Sequence, residues 1–205
     1  MKEKISTYIA RFLAKAFNPL LLPTITLLLI MGYLPGVELF STKLKLVIIS
    51  VVFLSTCIIP LIFILLGRLN RGWNKDSERY FDRVMPYLFT IMGAYLGSQF
   101  MAKLPIPGIF RIFLLGICSM VIVAAIIAFK WKLSDYLLAL GGLLGTLIAL
   151  NFKFGMNLLW LIIIVVLVSG IVSSSHIYLE KDSPRQLYTG FLTGLFGMFF
   201  TLLFI

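Results

Sequence analysis

Seven long apolar runs follow one another through the chain, parted by short polar stretches. A helix of about 20 apolar residues spans the hydrocarbon of a bilayer. Inside that hydrocarbon every backbone N–H and C=O has to be satisfied within the segment or by a closed barrel. Runs of this length, without the period-two alternation of barrel strands, leave helices as the solution. The polar stretches are short, so successive helices must run antiparallel.

Composition points the same way. Of 205 residues 60% are hydrophobic and only 13% are charged, and the mean hydropathy is +1.05. A soluble domain of this size has too much surface to hide so much apolar area. The expected fold class is therefore all-α, a polytopic transmembrane bundle of six to seven spans. The predicted spans are 19–34, 44–66, 84–101, 109–129, 136–150, 156–172 and 187–205. Pro23 falls inside the first, where it is expected to kink the helix, and Pro60 falls inside the second. The fifth is short, and six spans result if it does not cross.

Ahead of the first span, residues 1–17 place Ile5, Tyr8, Ile9, Phe12 and Leu13 on one helical face and Lys4, Arg11 and Lys15 on the other. That pattern predicts an amphipathic helix lying in the headgroup region. With its basic start but no small-residue cleavage site, it does not read as a removed signal peptide. Residues 18–205 are expected to form one transmembrane domain.

The formal net charge of +10 comes from 18 basic and 8 acidic residues. The basic residues lie between apolar runs, which favours topology and anionic headgroups over nucleic acid. With seven spans, thirteen of the 18 basic residues fall on the side of the N-terminus, so the N-terminus is expected in the cytoplasm. Cys57 and Cys118 both sit within apolar runs, and His176 is the single histidine. No disulfide framework, metal site or cofactor is expected. Glycines recur four apart at Gly93 and Gly97, Gly141 and Gly145, and Gly190 and Gly194. Such spacing lets backbones approach closely, within the bundle or across a homodimer face.

The three most polar inter-span segments share one side of the membrane. They contribute Lys75, Arg79 and Arg83; Lys132, Ser134 and Asp135; and Ser175, His176, Asp182 and Arg185. Cations beside hydroxyls at helix ends suit a phosphate group. Arg79, Arg83, Ser134, His176 and Arg185 are the candidate phosphate ligands. Ordinary snorkelling cations would look similar from sequence.

The segment from Ser175 to Gly190, SHIYLEKDSPRQLYTG, resembles the third signature of the type 2 phosphatidic acid phosphatase superfamily, with Ser175, Tyr178, Leu179, Pro184 and Gly190 in register. Upstream, Ser134 to Gly142 (SDYLLALGG) and Arg79 to Pro86 (RYFDRVMP) are similar, more weakly, to its second and first signatures. The resemblance implies a membrane lipid-phosphate phosphatase in which a histidine attacks phosphorus. A second histidine then acts as general acid, an aspartate orients the nucleophile, and lysine and arginine hold the phosphate.

This chain departs from that pattern at nearly every catalytic position. His176 stands at the signature arginine, Asp182 at the nucleophilic histidine, Gln186 at the orienting aspartate and Tyr136 nearest the second-signature histidine. Arg83 lies three residues before Pro86 rather than beside it, and Lys75 is one residue too far from it. Removing a nucleophile from a cooperating set costs on the order of a million-fold in turnover. The expected function is therefore a catalytically degenerate relative that binds a lipid headgroup or serves as an accessory membrane subunit. Its partners would be anionic membrane lipids and a partner membrane protein or second copy. The alternatives are an altered lipid phosphate or diphosphate phosphatase, with Asp182 or His176 as the catalytic candidate, and a structural subunit without ligand. A transporter is disfavoured because the spans lack embedded charges. A bacterial cytoplasmic membrane is the expected location. The basic loops put the polar cluster on the cytoplasmic side, whereas the resemblance implies the outer face.

Overall fold

The computed structural model describes residues 18–69 and 78–204, which are helical with short connections and contain no strand. The predicted amphipathic helix of residues 1–17 lies outside the described residues. Helix α1 is Leu22–Tyr33, followed by a 3-10 turn at Val37–Leu39. Helix α2, Thr42–Phe53, runs through a π turn at Leu54–Ile58 into α3, Ile59–Leu69. Then come α4 (Glu78–Met101), α5 (Ile109–Ala128), α6 (Asp135–Phe154), α7 (Leu159–Tyr178) and α8 (Pro184–Phe204).

Five segments are long and apolar enough to cross a membrane: Thr42–Ile62 of the α2–α3 rod, and α5, α6, α7 and α8. Each has 20 or 21 residues, about 30 Å of helix and so about one hydrocarbon thickness. The chain is thus a membrane-integral helical protein. α4 has the length, at 24 residues, but Tyr95, Ser98 and Gln99 dilute its apolar character. α1 has only 12 residues.

Local sequence explains where the elements depart from expectation. Pro23 was expected to kink the first span, but it stands in the opening turn of α1, where a missing N–H is unsatisfied anyway. Pro60 does disturb its helix. Its ring crowds the carbonyl four residues back, and the ladder widens to π geometry, with the Ile59 N–H donating to the Leu54 carbonyl. The fifth span is not short: α6 runs from Asp135 to Phe154 and ends at Gly155, in the left-handed conformation at φ 61°. The polar stretch 67–83 is partly helical, since α3 extends to Leu69 and α4 begins at Glu78.

α5 and α6 are the most enclosed helices, and their faces build the core around Phe110, Phe113, Leu140 and Leu147. α6 and α8 make the closest helix pair. A Cβ on Gly141, Gly145 or Gly194 would run into the backbone of the facing helix, and one on Gly190 would lie 2.7 Å from the Ser134 carbonyl oxygen. Gly93 and Gly97 of α4 receive Ser55 of the π turn in the same way. All three glycine pairs are therefore occupied inside the bundle. α7 turns Leu159, Trp160, Ile163 and Leu167 outward, as a helix facing lipid does.

Candidate functional site

The close α6–α8 crossing brings two connections together at one end of the bundle, the α5–α6 link and the α7–α8 link. The Ser134 N–H donates to the Gln186 carbonyl at 3.3 Å, tying the start of α6 to the first turn of α8. At the end of α7 the chain folds back: the Leu179 and Lys181 N–H groups donate to the Ser175 and His176 carbonyls. Glu180 between them adopts φ 52°, and it is the one non-glycine residue with positive φ among the described residues. That reversal returns Asp182 to His176. A side chain in the left-handed region costs about 1–2 kcal/mol, of which glycine's greater unfolded-state freedom takes back roughly half. Glu180→Gly is expected to raise stability by about 0.5–1 kcal/mol in a denaturant titration of the purified protein. A loss of stability would mean that the turn is held by the glutamate side chain instead.

Asp182 is the hub of the cluster. Its Oδ2 accepts from the Ser134 hydroxyl at 2.9 Å and from His176 Nδ1 at 2.9 Å, and its Oδ1 accepts from Lys132 Nζ at 3.1 Å. Lys132 also donates to the Lys181 carbonyl at 3.2 Å. The Asp182 side chain is 8% exposed and His176 1%, whereas Lys132 is 51% exposed. Burial alone would push the Asp182 carboxyl up, but hydrogen bonds from His176, Lys132 and Ser134 outweigh it and hold the carboxyl below its ordinary range. An ionised carboxylate only accepts, so His176 Nδ1 is the donor. The Tyr136 ring lies 4.6 Å from the imidazole, tilted by 56°. His176 Nε2 is buried without a hydrogen-bond partner among the described residues.

A second polar pair adjoins this hub. The Tyr87 hydroxyl of α4 donates to Asp135 Oδ1 at the first residue of α6. Both residues, with Tyr136, line a cavity of about 320 Å³ between α1, α4, α5 and α6. Its walls are mostly apolar, including Phe113, Met120, Val121 and Leu143. The volume falls at the lower end of the range of small-molecule sites, about 300–1,000 Å³.

The predicted site residues divide into groups. Ser134, Tyr136, His176 and Asp182 come together. Gln186 sits beside them, its side chain accepting from the Ser183 N–H at 3.0 Å at the start of α8. Arg185 is exposed and makes no ion pair among the described residues. Arg79 and Arg83 belong to the first turns of α4, but their side chains lie outside the described part, as does all of Lys75. Lys132, part of the predicted polar cluster but not of the predicted phosphate ligands, joins them, and Tyr87 is the addition. Lys132, and not its neighbours Lys181 or Arg185, pairs with Asp182. Nothing local marked Tyr87, whose partner is 48 residues away. Among the described residues no group of three or more His, Cys, Asp or Glu side chains comes together as a metal site. No family model matches the chain, and no curated protein or solved structure matches it.

Proposed function

We propose that this chain is a lipid-binding integral membrane protein, laid out like the lipid-phosphate phosphatases it resembles but without their hydrolytic chemistry. It would act as a headgroup-binding or accessory subunit. The observation that carries this reading is the closed hydrogen-bond network on Asp182 beside the cavity. A carboxylate with three donors on it, low basicity and little exposure is a poor nucleophile. Ser134 and His176 spend their donors on the same group. The Lys and Arg asymmetry supports a cytoplasmic N-terminus, and a bacterial cytoplasmic membrane is the setting we infer.

One observation favours the altered-phosphatase reading. His176 Nε2 has no hydrogen-bond partner among the described residues while Nδ1 is anchored on a carboxylate, the arrangement that orients an imidazole for chemistry at its other nitrogen. In that reading Nε2, not Asp182, forms the bond to phosphorus as the P–O ester bond breaks, the lipid alcohol leaves with a proton from water, and the hydroxide left behind cleaves the P–N bond to release phosphate and free Nε2.

Phosphate release from a panel of lipid monophosphates and diphosphates, with and without Mg²⁺, separates the two. The purified protein is expected to release no more phosphate than a matched blank. Turnover that falls by about 10⁴-fold or more in both His176→Gln and Asp182→Asn would sink the non-hydrolytic reading. A larger loss in His176→Gln than in Asp182→Asn would assign the histidine as nucleophile and the aspartate as its orienter.

A further inference from the structure

Of the polar side chains along the cavity, Asn18 and Tyr136 keep donors and the others present acceptors. The hydroxyls of Thr26, Thr56, Thr90 and Thr146 each donate at 2.8 Å to a carbonyl of their own helix. They therefore turn methyl groups and lone pairs, not protons, to the space they line. The Tyr87 hydroxyl likewise donates its hydrogen bond, to Asp135 Oδ1. Asp135 is the one acidic or basic side chain among the described residues lining the cavity, and its Oδ2 has no hydrogen-bond partner among them. Among the described residues the cation closest to Asp135 along the chain, Lys132, is engaged by Asp182 and the Lys181 carbonyl.

A phosphate monoester has many acceptor oxygens, and a lining made mostly of acceptors offers it few donors. A hydroxyl or an ammonium head would find a carboxyl oxygen without a partner among the described residues, with the apolar walls left for its chain. We infer that the cavity takes a long-chain amphiphile whose head donates hydrogen bonds and carries no negative charge, with that head on Asp135 and its chain along α5 and α6. This rests on the lipid-binding reading above and narrows it to a class of lipid. Tyr136 and Asn18, at the same end, supply the remaining polar contacts.

Native mass spectrometry of the full chain, released from zwitterionic-lipid nanodiscs, tests the inference with three probes of equal chain length: tetradecanol, tetradecylamine and tetradecyl phosphate. One molecule of the alcohol or the amine is expected per protein, each bound at least about tenfold more tightly than the phosphate. Asp135→Asn should remove most of the preference for the amine. Ala139→Phe, which fills the cavity from α6, should abolish all saturable binding. If Ala139→Phe does not fold, the Asp135→Asn comparison decides alone. Tetradecyl phosphate binding as tightly as the alcohol, or an amine preference untouched by Asp135→Asn, would overturn the head assignment while leaving lipid binding in place. Saturable binding of none of the three would remove the lipid-binding reading itself.

Discussion

Asp182→Asn is expected to lower the stability of the detergent-purified protein by about 2–4 kcal/mol and to flatten its acid limb. Three donors converge on the carboxylate. Asparagine keeps one acceptor oxygen and puts an NH₂ where the other stood, so at least one donor faces a donor. The share owed to Lys132 is small, because that lysine is 51% exposed and exposed pairs contribute about 0–1 kcal/mol. Lys132→Ala should accordingly cost under about 1 kcal/mol. The larger share comes from His176 and Ser134, both buried, where a donor stripped of its acceptor costs about 1–3 kcal/mol.

The pH dependence follows from the sign of the shift. The native Asp182 carboxyl lies below its ordinary value, so the unfolded chain takes up its proton first as pH falls. The stabilisation is complete above about pH 4, the unperturbed range of an aspartate, and is lost as pH drops through the lower native value. Thermal unfolding followed from pH 6 to pH 3 should show the wild type losing a stabilisation that Asp182→Asn never had. Parallel profiles for the two proteins would take the ionised carboxylate out of the network.

Much of the architecture was legible because the bilayer leaves a chain so few solutions. Apolar run length located the five segments able to cross a membrane, and the predicted positions 109–129 and 187–205 lie within a few residues of α5 and α8. The proline effects were legible only with position. Pro60 has a full helix before it and distorts the ladder, whereas Pro23 opens its helix and distorts nothing.

The candidate site was legible as a set of residues but not as a set of bonds. Ser134, His176 and Asp182 stand out as polar groups at the ends of apolar runs. Lys181 and Arg185 are the cations closest to Asp182 along the chain. The real cation, Lys132, is 50 residues away. It reaches Asp182 because the α6–α8 crossing brings the two connections together, and no local pattern encodes that distance. Tyr87 and Asp135 meet for the same kind of reason. The glycine spacings announced close approach without naming the facing helix, which only the packed bundle supplies.

That crossing makes Gly194→Ala the more severe of the two strongest changes. A Cβ at position 194 would overlap the Leu138 carbonyl oxygen and lie 2.7 Å from the Gly142 amide nitrogen. Both obstacles are backbone, so no rotamer change relieves them and α6 and α8 have to separate. Overpacking of a core ordinarily costs about 1–3 kcal/mol. Here the separation also opens the contacts at Gly141, Gly145 and Gly190 along the same seam, and a loss of about 3 kcal/mol or more is expected. Gly170→Ala is the control, because a Cβ there meets nothing within 4 Å and alanine favours the helix by up to about 1 kcal/mol. The damage should also reach the polar cluster. Ser134 opens α6 and Gln186 lies in the first turn of α8, so parting the helices pulls Ser134 from Asp182. Gly194→Ala and Asp182→Asn should then be less than additive in a double-mutant cycle, by more than about 0.5 kcal/mol. Full additivity would mean that the cluster is held by its own hydrogen bonds and not by the glycine seam beneath it.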